Sequence, residues 1–205
     1  MHQIIDCEQN SPEWLAARAA IPTASQFSTV MAKGKGGGES LTRKKYLYQL
    51  AAEIVSGETA EGYSNAHMQR GHEMEPAARE AYAFLHNAEP KQVGFVRNEI
   101  AGASPDSLIG DQGLLEIKTK LPALLVECIM SDEFPAEHKA QCQGALWVCE
   151  REWIDIAVYW PRLPLFVKRA YRDEAYIASI AKAVREFNDE LAEIVARLRK
   201  FEEAA

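Results

Sequence analysis

The C-terminal stretch from Asp173 to Phe201 carries the pattern that most restricts how this chain can fold. Its apolar residues alternate in steps of three and four over four heptads, which is the spacing of a helix that packs along another helix. These positions are 177, 180, 184, 187, 191, 194, 198 and 201. We therefore predict one long terminal helix. Its partner is either the rest of its own domain, the more common arrangement, or another protomer.

Upstream of that helix, helical and strand-like segments follow one another. Runs rich in β-branched and aromatic residues predict strands at 92–98, 107–110, 114–119, 153–160 and 165–171, and a turn at residues 110–113 joins two of them in a hairpin or meander. Helical patterns cover residues 11–19, 23–31, 40–55, 67–84, 122–130 and 135–149. The sequence thus predicts an α/β fold of the α+β kind. A mixed central sheet is flanked by helices and closed by the long terminal helix, in one domain over residues 1–205.

The composition is that of an ordinary folded protein, with 47% apolar and 26% charged residues among 205. The net charge of −7 argues against a surface coated by nucleic acid, but residues 31–50 carry five basic side chains against one acidic one. The four cysteines have no zinc-ligand spacing, which fits a reducing cytoplasm. Neither a secretory signal nor a run of about 18 apolar residues occurs, so secretion and membrane spanning are not expected.

Two short motifs, Ser104-Pro105-Asp106 and Glu116-Ile117-Lys118, combine the residue types of a metal-dependent hydrolase. Glu116 and Lys118 are two positions apart on a predicted strand, so their side chains project from the same face. The hairpin returns Asp106 to the neighbourhood of Glu116, and two carboxylates then share a small space. Such a pair either raises one carboxyl pKa or binds Mg²⁺ or Mn²⁺. A neighbouring lysine can orient and help deprotonate an attacking water and offset charge on a phosphoryl group.

The acid-x-lysine element by itself is a weak signal. The composition predicts about 1.6 such matches by chance, and the chain contains three. Glu89-Pro90-Lys91 contains a proline that disfavours a central strand, and Glu137-His138-Lys139 lies in a helical pattern, where residues two apart face different ways. The match at 116–118 has a strand context and follows Pro-Asp. On this pattern, a nuclease-type metal site and an exposed hairpin salt bridge remain open alternatives.

Two further segments place polar residues in unfavourable surroundings. Glu75 lies in a helical stretch with Gly71 and Pro76, which interrupt or kink a helix, and such local conflicts tend to fall at functional sites. Gln141 and Gln143 enter an otherwise apolar helix, where buried amides require hydrogen-bond partners. A solvated glutamate and core hydrogen bonding would explain the same residues, so both interpretations stay open at this point.

Taken in order, these motifs resemble the lambda-type phage exonucleases, viral alkaline exonucleases of the YqaJ-like recombinase family within the PD-(D/E)xK nuclease superfamily. The resemblance spans residues 13–160 and extends to the terminal helix. It is more specific than the metal-binding triad, which many endonucleases and resolvases share. Its six motifs are Glu13-Trp14 with Arg18, Thr23-Ala24-Ser25, Arg70-Gly71 through Glu75, Ser104-Pro105-Asp106, Glu116-Ile117-Lys118, and Ala140-Gln141-x-Gln143 with Trp147-Val148.

The resemblance implies a processive, Mg²⁺-dependent exonuclease, with Mn²⁺ as a substitute. Such an enzyme degrades duplex DNA from 5′ to 3′, releases mononucleotides and leaves a 3′-ended strand for recombination by annealing. The implied catalytic residues are Asp106, Glu116 and the Ile117 carbonyl as Mg²⁺ ligands, Glu75 for a second metal, and Lys118 for activation of water. The implied 5′-phosphate pocket consists of Arg18, Ser25, Ser104 and Gln141, in which arginine offers a bidentate fork to phosphate. The predicted DNA contacts are Lys35 in a glycine-rich loop and Arg43.

The resemblance also implies a ring-shaped homotrimer around DNA, a single-strand annealing protein as partner, and a phage or prophage gene expressed in the bacterial cytoplasm. A ring reconciles the negative net charge with DNA binding, because only its bore must be positive. A monomer is the alternative to the trimer. For the activity, the alternatives are a restriction- or resolvase-type endonuclease and a DNA-end-binding recombination protein without catalysis.

Overall fold

Two β-sheets form the centre of the computed structural model, which describes residues 2–59 and 66–203. The strands in this part of the chain are β1 (Gln3–Ile5), β2 (Pro90–Lys91), β3 (Phe95–Arg97), β4 (Gly102–Ala103), β5 (Ser107–Ile109), β6 (Gly113–Thr119), β7 (Trp153–Tyr159) and β8 (Phe166–Tyr171). The larger sheet is mixed and has the order β2-β5-β6-β7-β8. The smaller sheet is antiparallel and has the order β1-β3-β4.

Local capping signals explain where two of the helices begin and end. Helix α1 (Pro12–Arg18) starts where Ser11 Oγ accepts a hydrogen bond of 3.2 Å from the Trp14 backbone N–H. Ser40 caps α3 (Leu41–Ser56) in the same way, and Gly57, with φ of +72°, ends it. The other helices in the described residues are α2 (Phe27–Val30), α4 (Ala66–His86), α5 (Pro122–Ser131), α6 (Lys139–Cys149) and α7 (Glu174–Glu203).

Three helices differ in detail from the prediction. Those predicted over residues 23–31 and 135–149 begin as 3-10 turns, at Ala24–Gln26 and Ala136–His138. Of the interruption or kink predicted near Gly71 and Pro76, the interruption is wrong, because α4 continues through both residues. One face of α4 packs on the larger sheet, and this tertiary contact compensates for the missing backbone donor of the proline.

The larger sheet contains the predicted hairpin. β5 and β6 pair antiparallel, with Ser107 opposite Leu115 and Ile109 opposite Gly113. β6 then pairs in parallel with β7 along its whole length. Because a parallel pair requires a crossover, the chain between these strands leaves the sheet through α5 and α6. The predicted mixed sheet flanked by helices is therefore confirmed.

The two faces of β6 are covered by different helices. Leu115 and Ile117 form one buried cluster with Ala78 and Tyr82 of α4. On the opposite face, Leu114 belongs to the main core, which also includes buried residues of α2, α3, α6 and α7. The catalytic motif predicted at 116–118 therefore lies in a strand between two packed layers.

The heptad positions of α7 pack inside the same chain. Ile180, Val184 and Phe187 are fully buried in the main core with residues of α3 and α6. Toward the end of the helix, Leu198 and Phe201 are exposed. Of the two predicted partners for this helix, most of α7 therefore packs against its own chain. In the described residues, no helix is both long enough and apolar enough to cross a membrane.

The sequence patterns do not predict the smaller sheet. The strand predicted at 92–98 does not join the hairpin, because β3 pairs with β1 and β4 instead. Gly102 is required there, since a Cβ at this position would lie 2.0 Å from Cζ of Phe95. The Phe95 ring packs in turn with Trp14 and Ile21. Tertiary contacts, rather than local periodicity, thus form this sheet.

Candidate active site

Asp106 stands immediately before β5, at the start of the hairpin. Its carboxylate accepts a hydrogen bond of 2.5 Å from the backbone N–H of Ile117. The pairing of Ser107 with Leu115 holds the two strands in this register. As the sequence predicted, the hairpin brings Asp106 against the 116–118 motif.

Glu116 and Lys118 project from one face of β6. Glu116 is 3% exposed, and its Oε1 accepts hydrogen bonds from Lys118 Nζ at 2.7 Å and from Gln141 Nε2 at 2.5 Å. Leu115 and Ile117 point to the opposite face, where they pack beneath α4. Because Glu116 is buried and also bound by α6, the alternative of an exposed hairpin salt bridge is wrong.

Burial and neighbouring charges shift the pKa values of Asp106 and Lys118. Burial raises the pKa of the Asp106 carboxyl well above its usual value, and Glu116 and Glu75 raise it further against the opposing effect of Lys118. For Lys118, burial acts to lower the pKa, but Glu116 and Asp106 outweigh that effect and raise it. A cation bound among these carboxylates would relieve their repulsion.

The chemistry of the donor set fits a divalent metal. Carboxylate oxygens are the ligands that Mg²⁺ and Mn²⁺ prefer, and Asp106 and Glu116 offer them beside the backbone of Ile117. A complete cage is not preformed, since no three His, Cys, Asp or Glu side chains of residues 2–59 and 66–203 converge as ligands. The third predicted carboxylate, Glu75, is held by another residue.

Glu75 lies on α4 and faces Arg79, one helical turn later. Its Oε1 accepts a hydrogen bond from Arg79 Nη2, and its Oε2 lies 3.9 Å from His72 Nδ1. Its charge acts to raise the pKa of the Asp106 carboxyl, and Arg79 links the two residues, because Nη2 also lies 3.4 Å from the Asp106 backbone carbonyl. A polar cavity of about 640 Å³ opens beside Glu75, between α4, the segment after β1 and residues 92–94.

The four predicted phosphate-pocket residues lie on elements connected by direct contacts. Trp14 links two of them: its ring centroid is 3.9 Å from the guanidinium carbon of Arg18, and its Nε1–H donates to Ser104 Oγ at 2.9 Å. Ser25 lies in the 3-10 turn that packs against α6, the helix of Gln141. Phosphate binding by these residues stays a prediction.

Arg18 has the environment of an unsatisfied cation. Burial lowers the pKa of its guanidinium, while Tyr46 and Glu53 act in the opposite direction. No described residue accepts a hydrogen bond from this guanidinium, and its contact is the face of Trp14. A desolvated guanidinium with this freedom can bind an incoming anion.

The two predicted DNA contacts, Lys35 and Arg43, have different surroundings. The backbone of Lys35 lies in the 3-10 turn Lys35–Gly37, but its side chain lies outside the described part of the chain, so that contact stays a prediction. Arg43 Nη1 and Nη2 each donate to the Glu190 carboxylate at 2.7 Å, and Nε donates to the Val30 carbonyl at 3.1 Å. The Arg43 guanidinium therefore links α3 to α7, and DNA contact by Arg43 stays a prediction.

Residues at the site that sequence reasoning gave no role include Arg79, Trp14 and His138. The i, i+4 spacing from Glu75 could have found Arg79. Trp14 was part of a motif, but its shared hydrogen bonds to Ser104 Oγ and the Gly94 carbonyl depend on tertiary structure. His138 is the middle residue of Glu137-His138-Lys139, the acid-x-lysine match whose helical pattern disfavours a metal site. Burial, with a smaller effect of nearby Lys118, lowers the pKa of His138 to about 4.

Solved structures share this architecture. LHK-Exo in complex with dAMP is 36% identical to the chain with a TM-score of 0.85, and the match covers 95% of this chain and 100% of that one. The alkaline exonuclease LHK-Exo from Laribacter hongkongensis matches at 35% identity and a TM-score of 0.84, with the same coverage. A phage-related exonuclease from Haemophilus somnus 129PT, 15% identical over 87% of this chain and 96% of its own, shares the fold with a TM-score of 0.67. No curated protein matches the sequence significantly.

The fold and these similarities place the protein in one structural class with the alkaline exonuclease LHK-Exo, and they support a nuclease role. The YqaJ-like viral recombinase domain matches residues 13–152, most of the chain. The chain belongs to the family of YqaJ-like viral recombinases. The predicted family and fold class are thereby confirmed.

Proposed function

We propose that this chain is a processive, Mg²⁺-dependent 5′-to-3′ exonuclease on double-stranded DNA. It releases 5′-mononucleotides and leaves 3′ single-stranded ends for recombination by annealing, and Mn²⁺ can replace Mg²⁺. The observation that carries the proposal is the partly buried cluster of Asp106, Glu116 and Lys118, with Gln141 bound to Glu116. The relative LHK-Exo, 36% identical, holds dAMP, a mononucleotide, and this supports the proposed product class.

In the proposed reaction, Asp106, Glu116 and the Ile117 carbonyl would hold Mg²⁺, and Glu75 would serve a second ion. The metal, when bound, polarises the phosphoryl group and lowers the pKa of a bound water. Lys118 orients the attacking water, helps to remove its proton, and offsets the negative charge that develops on the phosphoryl oxygens. The Ile117 N–H and the Gln141 amide hold the two carboxylates in place.

The direction of degradation follows from the proposed phosphate pocket. Arg18 offers a partly buried guanidinium with no acceptor among the described residues. Ser104 Oγ accepts from Trp14, which leaves its own hydroxyl hydrogen able to donate to an anion. With Ser25 and Gln141, these groups would bind a terminal 5′-phosphate. Because Gln141 also contacts Glu116, the phosphodiester next to that end would meet the carboxylates.

The proposed assembly is a homotrimeric ring formed by single nuclease domains of residues 1–205. The net charge of −7, together with the basic window at residues 31–50, supports a positive bore within an acidic exterior. The proposed partner is a single-strand annealing protein, in keeping with a viral recombinase family. The proposed setting is the cytoplasm of a bacterium that carries the gene on a phage or prophage.

A time course of nucleotide release tests the activity. The substrate is linear duplex DNA with a 5′-phosphate at one end only, in Mg²⁺ or in EDTA, and the control is covalently closed circular duplex. We expect Mg²⁺-dependent loss of the phosphorylated strand and an intact circle. Cutting of the circle would favour the endonuclease alternative. No cleavage in either Mg²⁺ or Mn²⁺ would refute a nuclease and favour a DNA-end-binding protein.

A further inference from the structure

Arg79 makes more contacts around the site than any role assigned so far requires. Its Nη2 donates to the Glu75 carboxylate and lies 3.4 Å from the backbone carbonyl of Asp106. Its Nε donates to Ser107 Oγ at 3.0 Å. With the Gln92 amide turned so that its oxygen faces the guanidinium, that oxygen accepts from both Nη atoms at 3.2 Å. The Arg79 side chain thus links α4 to the Asp106 carbonyl, to the Ser107 hydroxyl and to the Gln92 amide.

The contacts of Ser107 extend this network to the backbone of Asp106. The Ser107 side chain is fully buried, and its hydroxyl donates to the Asp106 carbonyl at 2.6 Å while it accepts from Arg79. The side chain of Arg79 is 13% exposed. A planar guanidinium can serve several acceptors in fixed directions, whereas an ammonium on a flexible stem cannot hold the same set at once.

We propose that Arg79 is a positioning residue for hydrolysis, which fixes Glu75 and the backbone of Asp106 relative to one another. The inference rests on the proposed nuclease function and adds a residue to its machinery. Arg79 acts through Glu75, which lies on α4, and through Asp106, which lies at the start of the hairpin. Without this link, the carboxylate of Glu75 is free to turn toward the adjacent polar cavity.

The test compares Arg79→Gln, Arg79→Lys and Ser107→Ala with the matched control Arg172→Gln. Arg172 is also a partly buried arginine with several acceptors, and its Nη1 donates to the carbonyls of Leu146 at 2.9 Å and Arg151 at 3.2 Å. For each variant, we would measure Tm, the Kd for 5′-phosphorylated duplex in Ca²⁺, and the single-turnover rate of nucleotide release in Mg²⁺.

We expect Arg79→Gln to lower the hydrolysis rate about a hundredfold, as displacement of a catalytic group by about 1 Å does, and to change the Kd less than threefold. Arg79→Lys should not restore the rate, and Ser107→Ala should lower it less. Arg172→Gln should lower Tm without slowing hydrolysis. If Arg79→Gln fails to fold, Arg79→Lys and Ser107→Ala still decide the question.

Three results would overturn the inference. The first is an Arg79→Gln rate within threefold of the wild type. The second is a loss of rate that Arg172→Gln reproduces at the same decrease in Tm. The third is full activity of Arg79→Lys, which would mean that the charge alone suffices. A wild-type protein that releases no nucleotide would instead refute the proposed function, so the two failures are distinguishable.

Discussion

At the scale of single residues, Lys118 places a positive charge beside the carboxylates of Glu116 and Asp106. Its Nζ lies 2.7 Å from Glu116 Oε1, and both Glu116 and Asp106 act on its pKa. We expect Lys118→Ala to slow hydrolysis about a thousandfold, because it removes the group that orients water and offsets phosphoryl charge. Single-turnover assays check this, with Lys91→Ala on β2 as an exposed control. Full activity of Lys118→Ala would eliminate the proposed mechanism.

Arg18 tests the phosphate pocket separately from the chemistry. Its stacked guanidinium is expected to bind a terminal 5′-phosphate, so Arg18→Ala should lower the preference for phosphorylated over hydroxyl ends about tenfold or more. The ratio of initial rates on the two kinds of end measures this preference. An equal loss on both ends would mean that Arg18 supports the structure or general DNA binding instead.

His138 predicts a pH dependence of stability. Its folded pKa of about 4, lowered first by burial, lies below the unfolded value of about 6.5. Between these values the unfolded chain binds a proton that the folded chain does not, so stability is lost as the pH falls from 6.5 toward 4.

The contribution is on the order of 2 kcal/mol at pH 4.5. Urea unfolding of the wild type and of His138→Gln at pH 7 and pH 4.5 measures it. The wild type should lose more stability than the variant over this interval. Identical losses would show that His138 titrates normally in the folded protein.

At the scale of elements, the Arg43–Glu190 pair joins α3 to α7. If the pair is structural, Arg43→Gln and Glu190→Gln should each lower the free energy of unfolding by about 1 kcal/mol, because Glu190 is partly exposed and screened. Neither variant should change DNA affinity. Fluorescence anisotropy with duplex DNA and urea unfolding check both points. Weaker DNA binding by Arg43→Gln, with unchanged or tighter binding by Glu190→Gln, would show that Arg43 also contacts DNA.

Elements with local signals were predictable from the sequence, and elements without them were not. The serine caps of α1 and α3, the glycine after α3 and the heptads of α7 all act within a few residues. β1, β3 and β4 are two or three residues long, too short for a periodic pattern, and they exist because Phe95 packs on Gly102 and Trp14. α4 shows the opposite case, since tertiary packing maintains a continuous helix through Pro76, where the sequence predicted an interruption or a kink.

The same division applies to the candidate site. The alternation of Glu116 and Lys118, and the return of Asp106, follow from strand geometry and one hairpin turn. The contact of Gln141 with Glu116 arises only because the parallel β6–β7 pair sends the crossover helix α6 over that face. Contacts between residues far apart in the chain require the topology, which local sequence patterns do not contain.

At the scale of the whole molecule, the charge distribution bears on how the protein stays on DNA. A chain with a net charge of −7 and one basic window has little nonspecific electrostatic affinity as a monomer, and that affinity falls steeply with salt. A closed ring would hold DNA by topology instead. The proposed ring therefore predicts that binding of an end is sensitive to salt, whereas degradation in progress is not.

A trap experiment tests this prediction. Degradation of labelled linear duplex is started, and excess unlabelled duplex is added together with a rise in salt from about 50 to 200 mM. We expect degradation of the labelled strand to continue, although protein added after the trap should release no labelled nucleotide. Light scattering should give three times the mass of the chain. Immediate arrest at the trap, with the mass of a single chain, would favour a monomer that dissociates after each event, because electrostatic contacts alone do not survive the added salt.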